Sequence, residues 1–331
     1  MRYLILLALA LLLCSSGASC QMNSTSIEEL MSSALRDLVV DSSAKLESYR
    51  FSLEMEQNID LVDLSSGETQ QLYTRSFGFG SANMTDRALK LAMASLTYAK
   101  GDEENSTSIA LEEYLINDTI YLKVDGNWTS LKMPAVASAW SMQNTMEQQV
   151  NMLNQSNLSL IGSEIVDGQD CYKVNAKIDM GSFADQLSGQ VASYVPMQSM
   201  NYTDLFRNMT LNVYYWITKD THLLKKTDVV EKFTVTPQSL GLPASGPERQ
   251  EMRLNSKISM LFGNFNESVK IELPAEAEEA LPFPMNLVAT NEAVSVSLLG
   301  NETMLNETML NETMLNETMP GNNTAQAPLT A

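Results

Sequence analysis

ALEEYLI (Ala110–Ile116), ND (Asn117–Asp118), TIYLKV (Thr119–Val124), DG (Asp125–Gly126) and WTSLK (Trp128–Lys132) follow one another in a single stretch, and their reading decides the fold. Three short runs alternate apolar and polar residues, as strands with one buried face do. The two-residue signals between them accept left-handed backbone and join antiparallel neighbours. The stretch predicts two consecutive hairpins.

The same alternation extends in both directions. Ser48–Ile59 leads to a turn at Ser65-Ser66-Gly67, and Gln70–Gly80 follows. Downstream, Leu158–Val166, Asp170–Ile178, Met209–Thr218, His222–Val235, Met252–Phe262 and Ser268–Leu273 carry strand signals. Helical spacing appears three times. Ile27, Leu30, Met31, Ala34, Leu35, Leu38 and Val39 give Ser26–Leu46 one apolar face after a capping-box pattern at Ser26–Glu29. Val136, Trp140, Met146, Val150 and Leu153 do so for Ala135–Asn154, and Phe183, Leu187, Val191 and Tyr194 for a stretch that stops before Pro196. Asp86–Lys100 reads two ways: Leu89, Met93 and Leu96 suit a helix, Leu89, Leu91 and Met93 one face of a strand, and the alanines tilt propensity to helix.

The N-terminus is read as a targeting segment. Arg2, the apolar run Leu4–Leu13 and the small residues Ser15–Ser19 form a secretory signal over residues 1–19, too short to span a bilayer. Gly17-Ala18-Ser19-Cys20 is similar to a lipobox, which makes Cys20 the acylated new N-terminus and residues 20–25 an anchor linker. Simple cleavage near Ala18 or Ser19 is the alternative. Removing residues 1–19 takes away Arg2 alone among 21 basic and 40 acidic residues, so the net charge moves from −19 to −20. That balance argues against nucleic acid and anionic headgroups as partners. Of three cysteines, Cys20 and Cys171 remain, so the core rather than a disulfide framework holds the domain, and Cys171 in a strand-like run reads as a buried thiol.

Of 25 asparagines, 15 stand in glycosylation sequons: Asn23, Asn83, Asn105, Asn117, Asn127, Asn154, Asn157, Asn201, Asn208, Asn266, Asn301, Asn306, Asn311, Asn316 and Asn322. With Ser plus Thr at roughly one residue in six, chance supplies about four, so the excess marks export. Together with the lipobox-like cysteine and the few disulfides, it points to an archaeal surface rather than a eukaryotic secretory route. After a linker at 281–300, residues 301–331 carry the repeat Asn-Glu-Thr-Met-Leu. Its period of five matches neither helix nor strand, so the tail is expected to be disordered, as a glycan-bearing stalk or a slipped repeat without a role.

The order helix, strands, central helices, strands resembles the LolA/LppX superfamily of lipid and lipoprotein carriers, in particular archaeal surface lipoproteins of the lipoprotein-sorting type. The likeness spans roughly residues 26–280. It is carried by Glu113–Lys123 with Gly126 and Trp128, by Gly168–Val174, by Trp216–Lys226 and by Asn264–Ala277. It implies an α+β fold: a strongly curved antiparallel sheet of about eleven strands, an incomplete barrel, with helices packed in its concave mouth and an apolar groove between. It also turns Asp86–Lys100 to strand. The family brings no catalytic residues. Gly17 and the sequon-rich tail depart from its pattern.

The residues agree that no catalysis is to be expected. His222, the single histidine, excludes a multi-histidine metal site, and no nucleophile elbow, phosphate loop or dinucleotide fingerprint is present. No cofactor or metal is expected. Sixteen methionines remain once Met1 and the four tail methionines are set aside from the 21, and flexible thioethers suit a groove for varied apolar chains. The candidate groove residues are Trp140, Met146, Val150, Leu153, Phe183, Leu187 and Val191. Two function classes follow: a membrane-surface carrier of an apolar ligand, such as a lipid or acyl chain, lipid-anchored on the outer face of the cell membrane; or a non-catalytic surface glycoprotein acting as a scaffold.

Overall fold

The computed structural model of the chain describes residues 27–132, 139–178, 209–236 and 250–282. The strands are β1 (Ser48–Asp63), β2 (Thr69–Asn83), β3 (Ala88–Ala99), β4 (Asp102–Ile116), β5 (Thr119–Val124), β6 (Asn127–Lys132), β7 (Asn157–Val166), β8 (Gln169–Lys177), β9 (Thr210–Thr218), β10 (Leu224–Val235), β11 (Gln250–Gly263) and β12 (Leu281–Pro282). They form one open sheet in the order β12-β6-β5-β4-β3-β2-β1-β11-β10-β9-β8-β7. Every pairing is antiparallel except that of β12 with β6. The two-residue β12 lies just past residue 280, where the sequence reading starts a linker.

The hairpins form where the turn chemistry asks for them. Asn117 and Asp118 (φ 51° and 58°), Asp125 and Gly126 (49° and 84°), and Asp167 and Gly168 (48° and 75°) each put two left-handed residues at a tip. That geometry matches the right-handed twist of the flanking strands.

The sheet is curved, and one buried cluster lines its concave face from Leu115 of β4 to Val174 of β8, across the six strands between them. Gly80 leaves room for the ring of Phe51 on β1, which a Cβ there would enter. The fold is the α+β incomplete barrel expected, with twelve strands among the described residues.

The described residues also hold three α-helices, α1 (Ile27–Ser43), α2 (Ala139–Gln143) and α3 (Thr145–Gln155), and a 3-10 turn at Ala275–Ala277. On α1, Val39 is buried, with Leu35 and Val40 packed beside it, whereas Met31 and Leu38 are exposed. The apolar face expected from spacing is therefore rotated. The single helix expected over Ala135–Asn154 is broken at Asn144, whose side chain accepts the Glu147 N–H and restarts the chain as α3.

Of two further expectations one holds and one changes. Asp86–Lys100 is strand, as the resemblance implied and against the helix its propensity favours, because Leu89, Leu91 and Met93 are buried on the inner face between β2 and β4. Ser268–Leu273 keeps its alternation but joins no ladder; the Val269 carbonyl accepts a side-chain bond from Asn83 instead. Phe183, Leu187, Val191 and the expected helix containing them lie outside the described residues.

Candidate ligand-binding interior

The concave wall begins with alternation. Tyr49, Phe51, Leu53 and Met55 of β1 are buried, as are Leu89, Leu91 and Met93 of β3 and Ile258, Met260 and Phe262 of β11. Opposite them stand α2, which packs on β4, and α3, which packs on β10. The Tyr49 hydroxyl fastens helix to sheet: it donates to Asn144 Oδ1 (2.7 Å) and accepts the Met146 N–H (3.1 Å). Burial pushes that phenol's pKa up.

Four of the sequence-derived groove residues, Trp140, Met146, Val150 and Leu153, are brought together here, all buried in the same cluster as the sheet residues. They are part of the interior wall. Five buried methionines share that cluster: Met55, Met93 and Met260 from the sheet, Met146 and Met152 from α3.

A second feature of the wall was missed by the sequence reading. The register aligns Glu231 with Ser256, Ser256 with Gln57, Gln57 with Thr74, and Thr74 with Thr97, a polar row across β10, β11, β1, β2 and β3. On one side lie Val229, Ile258 and Met55; on the other, a separate cluster that includes Phe233, Leu254, Ile59 and Leu72. Thr74 and Thr97 satisfy one another through their hydroxyls at 2.9 Å. Glu231, Ser256 and Gln57 are 1%, 1% and 2% exposed. Glu231 Oε1, Ser256 Oγ and Gln57 Nε2 have no protein hydrogen-bond partner, and neither do Thr227 Oγ1 and both amide atoms of Gln149 on α3. Burial pushes the Glu231 carboxyl up to about 7, with the nearby Ser256 hydroxyl offsetting part of the rise. Glu113, inward on β4 beside Leu91, is likewise pushed up to about 7 by burial. The signal in the sequence is slight: Gln57 merely occupies the inward phase between Met55 and Ile59.

The outer face has its own relief. The β7–β8 turn is held to β10 by an ion pair of buried Lys225 with Asp167 (2.8 Å). Trp216 lies between the ammonium groups of Lys173 and Lys226 and donates to Glu164 (3.1 Å). Between this turn and strands β1, β2 and β11 is a cleft of about 530 Å³, lined in part by Phe77, Phe79, Ile165 and Leu261. Phe79 and Ile165 are 52% and 72% exposed.

Among the described sequon asparagines, Asn105, Asn117, Asn127, Asn154, Asn157 and Asn266 are exposed. Asn83 is half-buried, and its amide nitrogen donates to Asp86 (2.8 Å) and the Val269 carbonyl (3.1 Å). Cys20, Asn23, Asn201, Asn208, Asn301, Asn306, Asn311, Asn316 and Asn322 lie outside the described residues. Cys171 is a buried free thiol whose pKa burial pushes up. His222 sits half-buried in the β9–β10 turn with a left-handed backbone (φ 56°). Among the described residues, no three His, Cys, Asp or Glu side chains are grouped to hold a metal ion.

Comparison with solved structures found similarity to the lipoprotein LppX of Mycobacterium tuberculosis, at 13% identity and a TM-score of 0.38, over 74% of this chain and 100% of that one. LprF of Mycobacterium bovis gives the same identity and TM-score over 74% and 97%. A putative outer membrane lipoprotein-sorting protein domain from Vibrio parahaemolyticus gives 10% identity and a TM-score of 0.22 over 72% and 95%. At this degree of superposition the likeness carries neither ligand nor partner to this chain. Comparison with curated proteins found no match. A family model does match, over residues 28–281, and the chain belongs to that family, a family of unknown function (DUF6612).

Proposed function

We propose that the chain is an exported, non-catalytic surface lipoprotein that binds or carries an apolar ligand, a lipid or acyl chain, between the concave sheet and its helices. The carrying observation is the methionine lining: Met55, Met93 and Met260 of the sheet share one buried cluster with Met146 and Met152 of α3. Unbranched thioethers repack around differently shaped chains at low cost, which branched residues do not. Attachment through an acylated Cys20 and glycosylation at the exposed sequons complete the reading. They place the domain on the outer face of the membrane.

The test is organic extraction of the natively purified full chain followed by mass spectrometry. A near-stoichiometric apolar molecule is expected. Protein that carries none, and that also fails to take up a neutral apolar fluorophore, overturns the reading. The outer cleft favours a second reading, a protein-interaction scaffold, since Phe79 and Ile165 expose apolar surface there. Under that reading the extract is empty and replacing Phe79 by Asp abolishes partner capture without unfolding the domain.

A further inference from the structure

The polar row inside the half-barrel is not explained by packing. Buried polar atoms are nearly always hydrogen-bonded, because leaving one unpaired forfeits its hydration with nothing in return. Here Glu231 Oε1, Ser256 Oγ and Gln57 Nε2 stand on three adjacent strands in consecutive register positions, each buried; Gln57 Nε2 has no protein partner, and the Ser256 hydroxyl lies close enough to Glu231 to offset part of its pKa rise without a hydrogen bond of normal geometry. They fall between two apolar clusters. Gln149, fully buried on the helix that packs against the strand of Glu231, leaves both amide atoms unpaired as well.

We propose that this row is a recognition site for a neutral hydrogen-bonding group, a hydroxyl or amide, borne by the apolar chain that the interior holds. The inference rests on the apolar-ligand reading and adds a selectivity to it. Donors and acceptors are both on offer: the Gln57 amide nitrogen donates, the Ser256 hydroxyl does either, and Gln149 does both. Along these strands an anionic group finds no counter-charge among the described residues, because the inward positions of β1, β2, β3, β10 and β11 carry no Lys or Arg, while Glu231 stands in the row itself. Burial, which keeps the Glu231 carboxyl protonated further towards neutral pH, lets it donate too.

The test is a competition series on the full chain. N-phenyl-1-naphthylamine, a neutral apolar fluorophore, is bound first and then displaced by dodecane, dodecanoate, 1-dodecanol or dodecanamide. The alcohol and the amide are expected to displace it at about tenfold lower concentration than the hydrocarbon or the carboxylate, the effect of one net buried hydrogen bond. In the double variant Gln57→Leu with Ser256→Ala the fluorophore should still bind while the four competitors become equivalent. Equal competition by all four in the wild-type chain means that water alone satisfies the row; it overturns the selectivity, leaves the apolar-ligand reading standing, and is decisive whether or not the double variant folds. Preference for dodecanoate also overturns it. Failure of the fluorophore to bind at all overturns the apolar-ligand reading, and the selectivity with it.

Discussion

Replacing Glu113 by Gln should favour the folded domain more at high pH than at low. Glu113 lies inward on β4 between Leu91 and Leu122, buried, with Oε1 unpartnered. Burial raises its carboxyl from 4.5 to about 7. Below about pH 4.5 the folded and unfolded chains both hold the proton and the group contributes nothing to the pH dependence. Between the two values the folded chain keeps a proton that the unfolded chain has released. Stability then falls with rising pH by about 1.4 kcal/mol per unit, or roughly 3 kcal/mol in all. Above about pH 7 the loss is complete. Glutamine keeps the shape and removes the ionisation. Thermal unfolding followed by circular dichroism at about pH 4.5 and pH 8 should therefore show a gain at the higher pH that exceeds the gain at the lower by about 3 kcal/mol, roughly 6–12 °C in Tm. Glu231, raised for the same reason, leaves a residual slope of the same sign in the variant. An equal shift at both pH values would refute the reasoning, since the carboxyl would then not be holding a proton inside the sheet.

Tyr49→Phe should lower stability by about 1–3 kcal/mol in urea unfolding, because it strips the Met146 N–H of its buried partner and leaves Asn144 Oδ1 with the Glu147 N–H alone; an unchanged midpoint would show that the helix is not fastened there. Cys20→Ser should move the exported protein from the membrane fraction to the medium, and continued membrane association would sink the anchor.

The sequence determined what short-range chemistry can determine. Asn117-Asp118, Asp125-Gly126 and Asp167-Gly168 specify hairpins because their side chains and glycines tolerate left-handed backbone, and the alternation around them leaves one face of each strand to be buried. Met146, Val150 and Leu153 share a helical face by spacing alone, and the structure buries that face; Trp140 joins the same cluster from the separate helix α2. What tertiary structure decided are the contests between local preferences and neighbours. Asp86–Lys100 is strand because β2 and β4 flank it, whatever its alanines favour. Ser268–Leu273 alternates yet pairs with nothing, since alternation describes a strand and does not supply a partner. The polar row lies furthest from sequence reading. Gln57 and Glu231 stand 174 positions apart, each unremarkable in its own strand, and meet through Ser256 only because β11 runs between β1 and β10. Register between strands distant in sequence is set by how the whole sheet closes around its core, and no local pattern encodes it.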